Sequence, residues 1–154
     1  ICLKGKLVTL YRELSQGYLF IDNNEQFPFI TNQNSNTHTR NNNKVRNFQT
    51  NIKVIHQSWA RSEDEILKKI KNWGHRDDFD TLQYFEFWRS LNSSNYKEFK
   101  NIHPIVPNVW DELDFIKSDS IEDFIKKYAL KKPQKLIPLP VSLFIKAIIN
   151  KITK

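Results

Sequence analysis

The stretch from His56 to Asp80, HQSWARSEDEILKKIKNWGHRDDFD, carries the strongest secondary-structure signal of the chain. The Ser62 hydroxyl can cap a helix while Glu65 reaches back to the Ser62 amide, which is the capping-box pattern. Acidic residues follow the cap and lysines come near the other end, an order that the helix dipole favours. Apolar residues share one face, at Ile66, Ile70 and Trp73. The pattern predicts a helix that begins at Ser62 and ends at Gly74, which can adopt the left-handed terminating conformation.

Further elements are predicted on both sides of this helix. On its amino side, the run from Ile52 to Ile55 predicts a strand that delivers His56 at its carboxyl end. On its carboxyl side, an aromatic-rich segment predicts a helix from Asp80 to Leu91. Ser120, with Asp123 three residues later, predicts the cap of another helix. These elements predict a helix-rich fold.

The amino-terminal segment allows two interpretations. Apolar residues from Leu3 to Leu14 recur at helical spacing, although Leu7 to Leu10 alone also suits a strand. We predict a helix that ends near Gly17, followed by a buried strand from Tyr18 to Ile21. The segment from Thr31 to Asn51 is rich in Asn, Gln, Ser and Thr, and it predicts a long exposed loop.

Composition and charge limit the class of partner. The chain has 154 residues, of which 39% are hydrophobic, and this suits one ordinary domain. Its 24 Lys and Arg exceed its 17 Asp and Glu, so the net charge of +7 favours anionic partners. The segment from Lys135 to Lys154 predicts a basic amphipathic helix suited to anionic membrane headgroups. The single Cys2 fits a reducing compartment.

The pattern between Ile52 and Trp88 resembles the carboxyl-terminal part of GT-A-type nucleotide-sugar glycosyltransferases. It is similar to bacterial family 2-like enzymes and, more distantly, to the family 17 N-acetylglucosaminyltransferases. The resemblance is carried by a strand ending in His, a Ser-Trp pair one residue later, a capped lysine-containing helix and a second His followed by Asp. It implies a mixed α/β fold, with residues 1–100 as the GT-A-like part and residues 101–154 as a helical extension with a basic tail.

The resemblance also implies a site. GT-A enzymes hold a divalent metal, Mn²⁺ or Mg²⁺, between an Asp-x-Asp motif and the donor diphosphate, and His56 matches the late His that completes the coordination. Arg61 would pair with the diphosphate through its planar guanidinium group. Trp59 would stack against a sugar or a base. Lys69 and His75 match further motif positions and complete the substrate-binding candidates.

Each of these residues also has a structural interpretation. His56 suits a hydrogen-bonded residue at a strand end, Trp59 suits the core, and Arg61 suits a surface ion pair. His75 suits a helix boundary beside capping carboxylates. The Asp-x-Asp letters at 78–80 follow the late His instead of preceding it, so they do not match the metal motif. No catalytic base is identified.

The leading hypothesis is therefore a hexosyltransferase-like glycosyltransferase of polysaccharide biosynthesis, which moves a sugar from a nucleotide-sugar donor to a carbohydrate or glycolipid acceptor. It would be cytoplasmic and peripheral to the membrane, with no nucleic acid as partner. The nucleotide-binding half of such an enzyme is missing from the chain, so activity of this chain alone stays an open question. The alternatives are a degenerate transferase fragment that binds a membrane or partner, and a non-catalytic basic module that binds nucleic acid or a membrane surface.

Overall fold

The computed structural model describes residues 1–22, 25–31, 46–74, 77, 79–99 and 112–131. In these ranges five strands and three helices follow one another as β1 (Cys2–Leu14), β2 (Gly17–Ile21), β3 (Gln26–Thr31), β4 (Asn47–Gln57), α1 (Glu63–Lys71), α2 (Thr81–Ser90), a short 3₁₀ turn (Tyr96–Glu98), β5 (Asp114–Lys117) and α3 (Ile121–Lys131). The strands form one sheet in the order β3-β1-β2-β5, and β4 also pairs with β1.

The central strand β1 pairs along both of its edges. One edge pairs antiparallel with β3 through the first half of β1 and with β2 through the second half. The other edge pairs with β4, which runs parallel to it. β5 then adds to the outer edge of β2 in antiparallel orientation. The prediction of a helix-rich α/β fragment of a GT-A domain is therefore wrong, because a mostly antiparallel five-stranded sheet is the main element.

The predicted helix from Leu3 to Leu14 is wrong for a physical reason. The segment is strand β1, and its second half has helices on both faces, so apolar residues need not alternate with polar ones. In this half, Leu10 and Tyr11 point to opposite faces by the ordinary alternation of a strand, so both are apolar and they lie in different cores. The apolar residues of β1 therefore recur at a spacing that is similar to that of a helix.

Two apolar cores lie on opposite faces of the sheet. The first packs α1 and α2 against β1 and β2, and its buried members are Tyr11, Leu19, Ile21, Ile66, Ile70, Phe85, Trp88, Leu91 and Leu113. The second packs α3 on the other face, and its buried members are Val8, Leu10, Tyr18, Phe20, Ala60, Ile116, Phe124 and Tyr128. The predicted strand from Tyr18 to Ile21 is confirmed, and every residue of β2 is buried between these cores.

The three later helices are confirmed with small changes at their ends. In α1, Ser62 accepts from the Glu65 amide and the Glu65 carboxylate accepts from the Ser62 amide, so the capping box is present. The helix ends at Lys71, with Asn72 as its cap, and Gly74 lies beyond it. Asp80 caps α2 by accepting from the amide of Gln83.

Ser120 has the capping role that its sequence predicts. Its hydroxyl oxygen accepts a hydrogen bond from the Asp123 amide at the start of α3, at 3.2 Å. The predicted strand from Ile52 to Ile55 is also confirmed, as part of the longer β4. The predicted loop from Thr31 to Asn51 is wrong at both ends, because Thr31 belongs to β3 and Asn47 to Asn51 belong to β4.

Several predicted features fall outside the described residues. They are the centre of the polar segment (32–45), His75, the domain boundary at 100–101 and the basic tail (135–154). Within the part of the chain that the structure describes, no helix has the length and apolar character to cross a bilayer.

Candidate functional site

The connection between β4 and α1 is fixed to the central strand. The amides of Trp59 and Ala60 both donate to the carbonyl oxygen of Leu10, at 3.2 Å each. The Ser58 amide donates to the His56 carbonyl at 3.0 Å, which turns the chain sharply at the end of β4. The candidate residues on this connection therefore have fixed backbone positions.

Lys69 reaches back from α1 to this connection. Its ammonium group donates to the Ser58 carbonyl oxygen at 2.8 Å and to the Ser58 hydroxyl at 2.9 Å. The same nitrogen lies 4.5 Å from the centre of the Trp59 ring, within the range of a cation–π contact. Burial, and to a smaller extent the positive charge of Arg61, lower the pKa of Lys69 to about 8.

Trp59 belongs to a cluster of aromatic rings beside the first core. Its ring centre lies 5.3 Å from that of Tyr84, 5.8 Å from that of Trp73 and 6.2 Å from that of Tyr11. Edge-to-face and tilted pairs at these distances stabilise aromatic clusters. One face of Trp59 is thus packed, and Lys69 occupies a position over its ring, so the ring contributes to the fold.

His56 and Arg61 are exposed at the carboxyl end of β4 and just after it. His56 lies beside Thr9 in the register of β1 and β4. Arg61 donates through Nε to the Gln57 carbonyl oxygen at 3.4 Å. The structure therefore brings Trp59, Arg61 and Lys69 together and places His56 on the preceding strand. Their predicted ligand roles stay predictions.

Among the described residues, no group of three or more His, Cys, Asp or Glu side chains is close enough to hold a metal ion. The divalent metal beside His56 stays a prediction.

No protein-family model matches the chain, and the comparisons with curated proteins and with solved structures gave no match. The function therefore has to be argued from the surfaces of the molecule itself.

A second surface, which the sequence did not reveal, lies on the half of the sheet away from the helices. We name it the phenylalanine face and define it by Phe27, Phe29 and Phe48. All three side chains are half-buried. Phe27 is the register partner of Gly5, and Phe48 is the register partner of Leu3, so both lie on the face to which Leu3 and Gly5 belong.

Gly5 brings the phenylalanine face close to the backbone of β1. A Cβ atom at Gly5 would lie 2.8 Å from the Ile52 carbonyl oxygen, 3.1 Å from Cγ2 of Val54 and 3.3 Å from Cδ1 of Phe29. Because glycine has no side chain, the ring of Phe29 can lie directly over the strand. The result is an apolar surface with aromatic rings, which neither core covers in the described part of the chain.

Basic residues lie at the edge of this surface and on the opposite face of the same half-sheet. The guanidinium carbon of Arg46 lies 5.0 Å from the centre of the Phe48 ring. Lys4 and Lys6 alternate with Leu3 and Gly5 along β1, so they lie on the opposite face of the same half-sheet. In QFPFIT, apolar and other residues alternate, and this pattern indicates strand β3. The sequence does not indicate which strand pairs with β1 on its other edge, so it does not predict that Phe48 lies on the same face as Phe27.

Proposed function

We propose that the protein is a non-catalytic basic module that binds single-stranded nucleic acid, with bases stacked on the phenylalanine face. The observation that carries the proposal is the presence of three half-buried phenylalanine rings on a half-sheet that lies outside both cores of the described residues. Every base has an aromatic face, and stacking on protein rings contributes about 1–3 kcal/mol per base.

The charge of the chain supports the same class of partner. The net charge of +7 attracts a phosphate backbone over long range. Arg46 lies at the edge of the phenylalanine face, where it can contact a phosphate or stack beside a base. A purely apolar partner would gain nothing from this positive charge. Single-stranded nucleic acid can contact both the aromatic rings, through its bases, and the basic side chains, through its phosphates.

The test is fluorescence anisotropy with labelled single-stranded DNA and RNA oligonucleotides at several salt concentrations. We expect binding that weakens steeply as salt rises, because bound phosphates release counterions. Phe48→Leu keeps an apolar side chain but removes the ring, and we expect it to weaken binding at least about fivefold, the lower limit of one lost stacking contact.

Leu82→Ala is the matched control for this substitution, because Leu82 lies on α2 and is 66% exposed. We expect it to leave affinity unchanged. Oligonucleotide binding that is absent in low salt, or that is equally strong in Phe48→Leu, would reject the proposal.

The glycosyltransferase hypothesis stays a prediction with its own test. Exposed His56 and Arg61 near one strand end are the features that favour it. Calorimetric titration with Mn²⁺ and a nucleoside diphosphate would detect a donor site, and His56→Ala would weaken metal-dependent binding. Absence of nucleotide binding together with oligonucleotide binding would favour the nucleic-acid module.

A further inference from the structure

The side of the sheet that carries the phenylalanine face continues along β1 and β4 to the end of β4. Cγ2 of Val54 lies 3.1 Å from the position that a Cβ atom at Gly5 would occupy, so Val54 lies on the same side of the sheet as Gly5. The register of β4 with β1 is regular from there to the end of β4. Side chains two residues apart along a strand share a face, so His56 also lies on this side, beside its register partner Thr9.

The length of this surface follows from the register of the two strands. Phe48 lies beside Leu3 at one end, and His56 lies beside Thr9 at the other end. At about 3.3 Å per residue, the part of β1 between these two positions covers about 20 Å. That length holds about six nucleotides at the stacked spacing of about 3.4 Å, and the phenylalanine face accounts for about half of them.

A guanidinium group lies at each end of this surface. At the near end, the guanidinium carbon of Arg46 lies 5.0 Å from the centre of the Phe48 ring. At the far end, His56 and Arg61 are both exposed. Nε of Arg61 donates to the carbonyl oxygen of Gln57 at 3.4 Å, which holds this side chain against the end of β4, one residue beyond His56. Rings between two cations suit a ligand that carries both bases and phosphates.

Two of the three carboxylates at the start of α1 are directed to partners of their own. Oε1 of Glu63 lies 3.9 Å from Nη2 of Arg12. The carboxylate of Glu65 accepts the hydrogen bonds of the capping box at 3.2 and 2.9 Å. The third, Asp64, is exposed and repels a phosphate, so an anionic strand approaches Arg61 from the side of β4.

We propose that His56 and Arg61 form a second subsite for single-stranded nucleic acid, in which one base stacks on the His56 ring and the adjoining phosphate pairs with Arg61. This subsite depends on the proposed function, and it gives the binding site a direction, from the phenylalanine face along β4 to the start of α1. Imidazole rings stack on unpaired bases, and the planar guanidinium group of arginine matches a phosphate.

The test is fluorescence anisotropy of the full chain with labelled single strands of about three and about nine nucleotides, lengths that follow from the stacked spacing. The short strand fits on the phenylalanine face alone, whereas the long strand also reaches the second subsite. We expect Arg61→Gln to weaken binding of the long strand about threefold, the size of one exposed ion pair. It should also reduce the slope of log K against log salt by about 0.7, because one phosphate contact is lost.

His56→Ala tests the stacking half of the subsite. We expect it to weaken binding of the long strand at least about fivefold, the lower limit of one lost stacking contact. Both variants should bind the short strand as the original protein does, whereas Phe48→Leu should weaken binding of both strands.

Lys117→Gln is the matched control for the loss of one positive charge. Lys117 is exposed on β5, at the edge of the sheet away from β4, and we expect its substitution to leave the salt slope unchanged. If Arg61→Gln and His56→Ala bind the long strand as Lys117→Gln does, or weaken both strands equally, the second subsite is overturned and an effect of Phe48→Leu still supports the proposed function. Absence of binding by either strand would reject both.

Discussion

At the scale of single residues, Asp22 connects three elements through one carboxylate. Its side chain is 8% exposed and accepts from the Lys53 ammonium group at 3.0 Å. Its second oxygen accepts from the Tyr128 hydroxyl at 2.8 Å. Burial raises the pKa of Tyr128, and the hydrogen bond to Asp22 raises it further, so the phenol stays protonated as a donor. The end of β2 is thereby joined to β4 and α3.

We predict that Asp22→Ala lowers the free energy of unfolding by about 3 kcal/mol, because it leaves the mostly buried Lys53 charge without this partner. Urea unfolding followed by tryptophan fluorescence measures the change. Glu86→Ala is the control, since it removes an exposed partner of Arg89 and should cost under about 0.5 kcal/mol. Similar losses in the two variants would contradict a structural role for the Asp22 carboxylate.

The candidate residues were only partly predictable from the sequence. The capping box at Ser62 predicted the start of α1 from neighbouring residues alone. The two bonds from Lys69 to Ser58 could not be predicted in this way, because they depend on how the connection folds back on β1. Contacts of this kind are set by tertiary structure.

At the scale of elements, the junction of β2 and β5 depends on Gly17. Its φ of 149° lies in a region that other residues rarely adopt. A Cβ atom there would lie 2.1 Å from the Ile116 carbonyl oxygen and 2.8 Å from the Lys117 Cα. The sequence predicts a left-handed glycine at Gly74, whereas among the described residues the glycine with positive φ is Gly17.

We predict that Gly17→Ala lowers the free energy of unfolding by about 3 kcal/mol or more, since it combines backbone strain with displacement of β5. Gly74→Ala is the matched control, because a Cβ atom there meets nothing within 4 Å. Chemical denaturation of both variants measures the difference. Equal stability of the two would show that β5 does not pack closely on Gly17.

Local sequence patterns predicted the helices better than the strands. The helices α1, α2 and α3 carry local caps and could be predicted from neighbouring residues. The strand β1 could not, because its apolar spacing reflects two cores formed by distant parts of the chain. The phenylalanine face has the same origin, since Phe27 and Phe48 share a face only through their separate pairing with β1.

At the scale of the whole molecule, a tyrosine pair joins the sheet to α2. The hydroxyl groups of Tyr11 and Tyr84 are hydrogen-bonded to each other beside the first core. Burial raises the pKa of Tyr84 to about 12, and burial and its neighbour raise the pKa of Tyr11. Both phenols therefore stay protonated in the folded protein at pH values where those of an unfolded chain ionise, near 10.

This difference predicts the pH dependence of stability. Between about pH 10 and 12 the folded state binds more protons than the unfolded chain, so the free energy of unfolding falls as pH rises. We expect Tyr84→Phe to cost about 1 kcal/mol at pH 8, where it removes a hydrogen bond. The same variant should lose stability less steeply than the original protein above pH 10.

Urea unfolding at pH 8 and at pH 10.8 measures both effects. Tyr96→Phe is a suitable control, because Tyr96 is half-buried outside the pair. A loss of stability above pH 10 that is as steep in Tyr84→Phe as in the original protein would rule out this phenol as its source.

The pairing of β1 along both edges has a further consequence for the order of synthesis. A ribosome produces β1, β2 and β3 in succession, so the antiparallel part of the sheet can assemble early. The parallel edge of β1 has no partner until β4 has been made, and the outer edge of β2 waits for β5, after residue 113. A nascent chain therefore has both edges open until β4 is made and the outer edge of β2 open until β5 is made, and open strand edges are the surfaces through which neighbouring polypeptides aggregate.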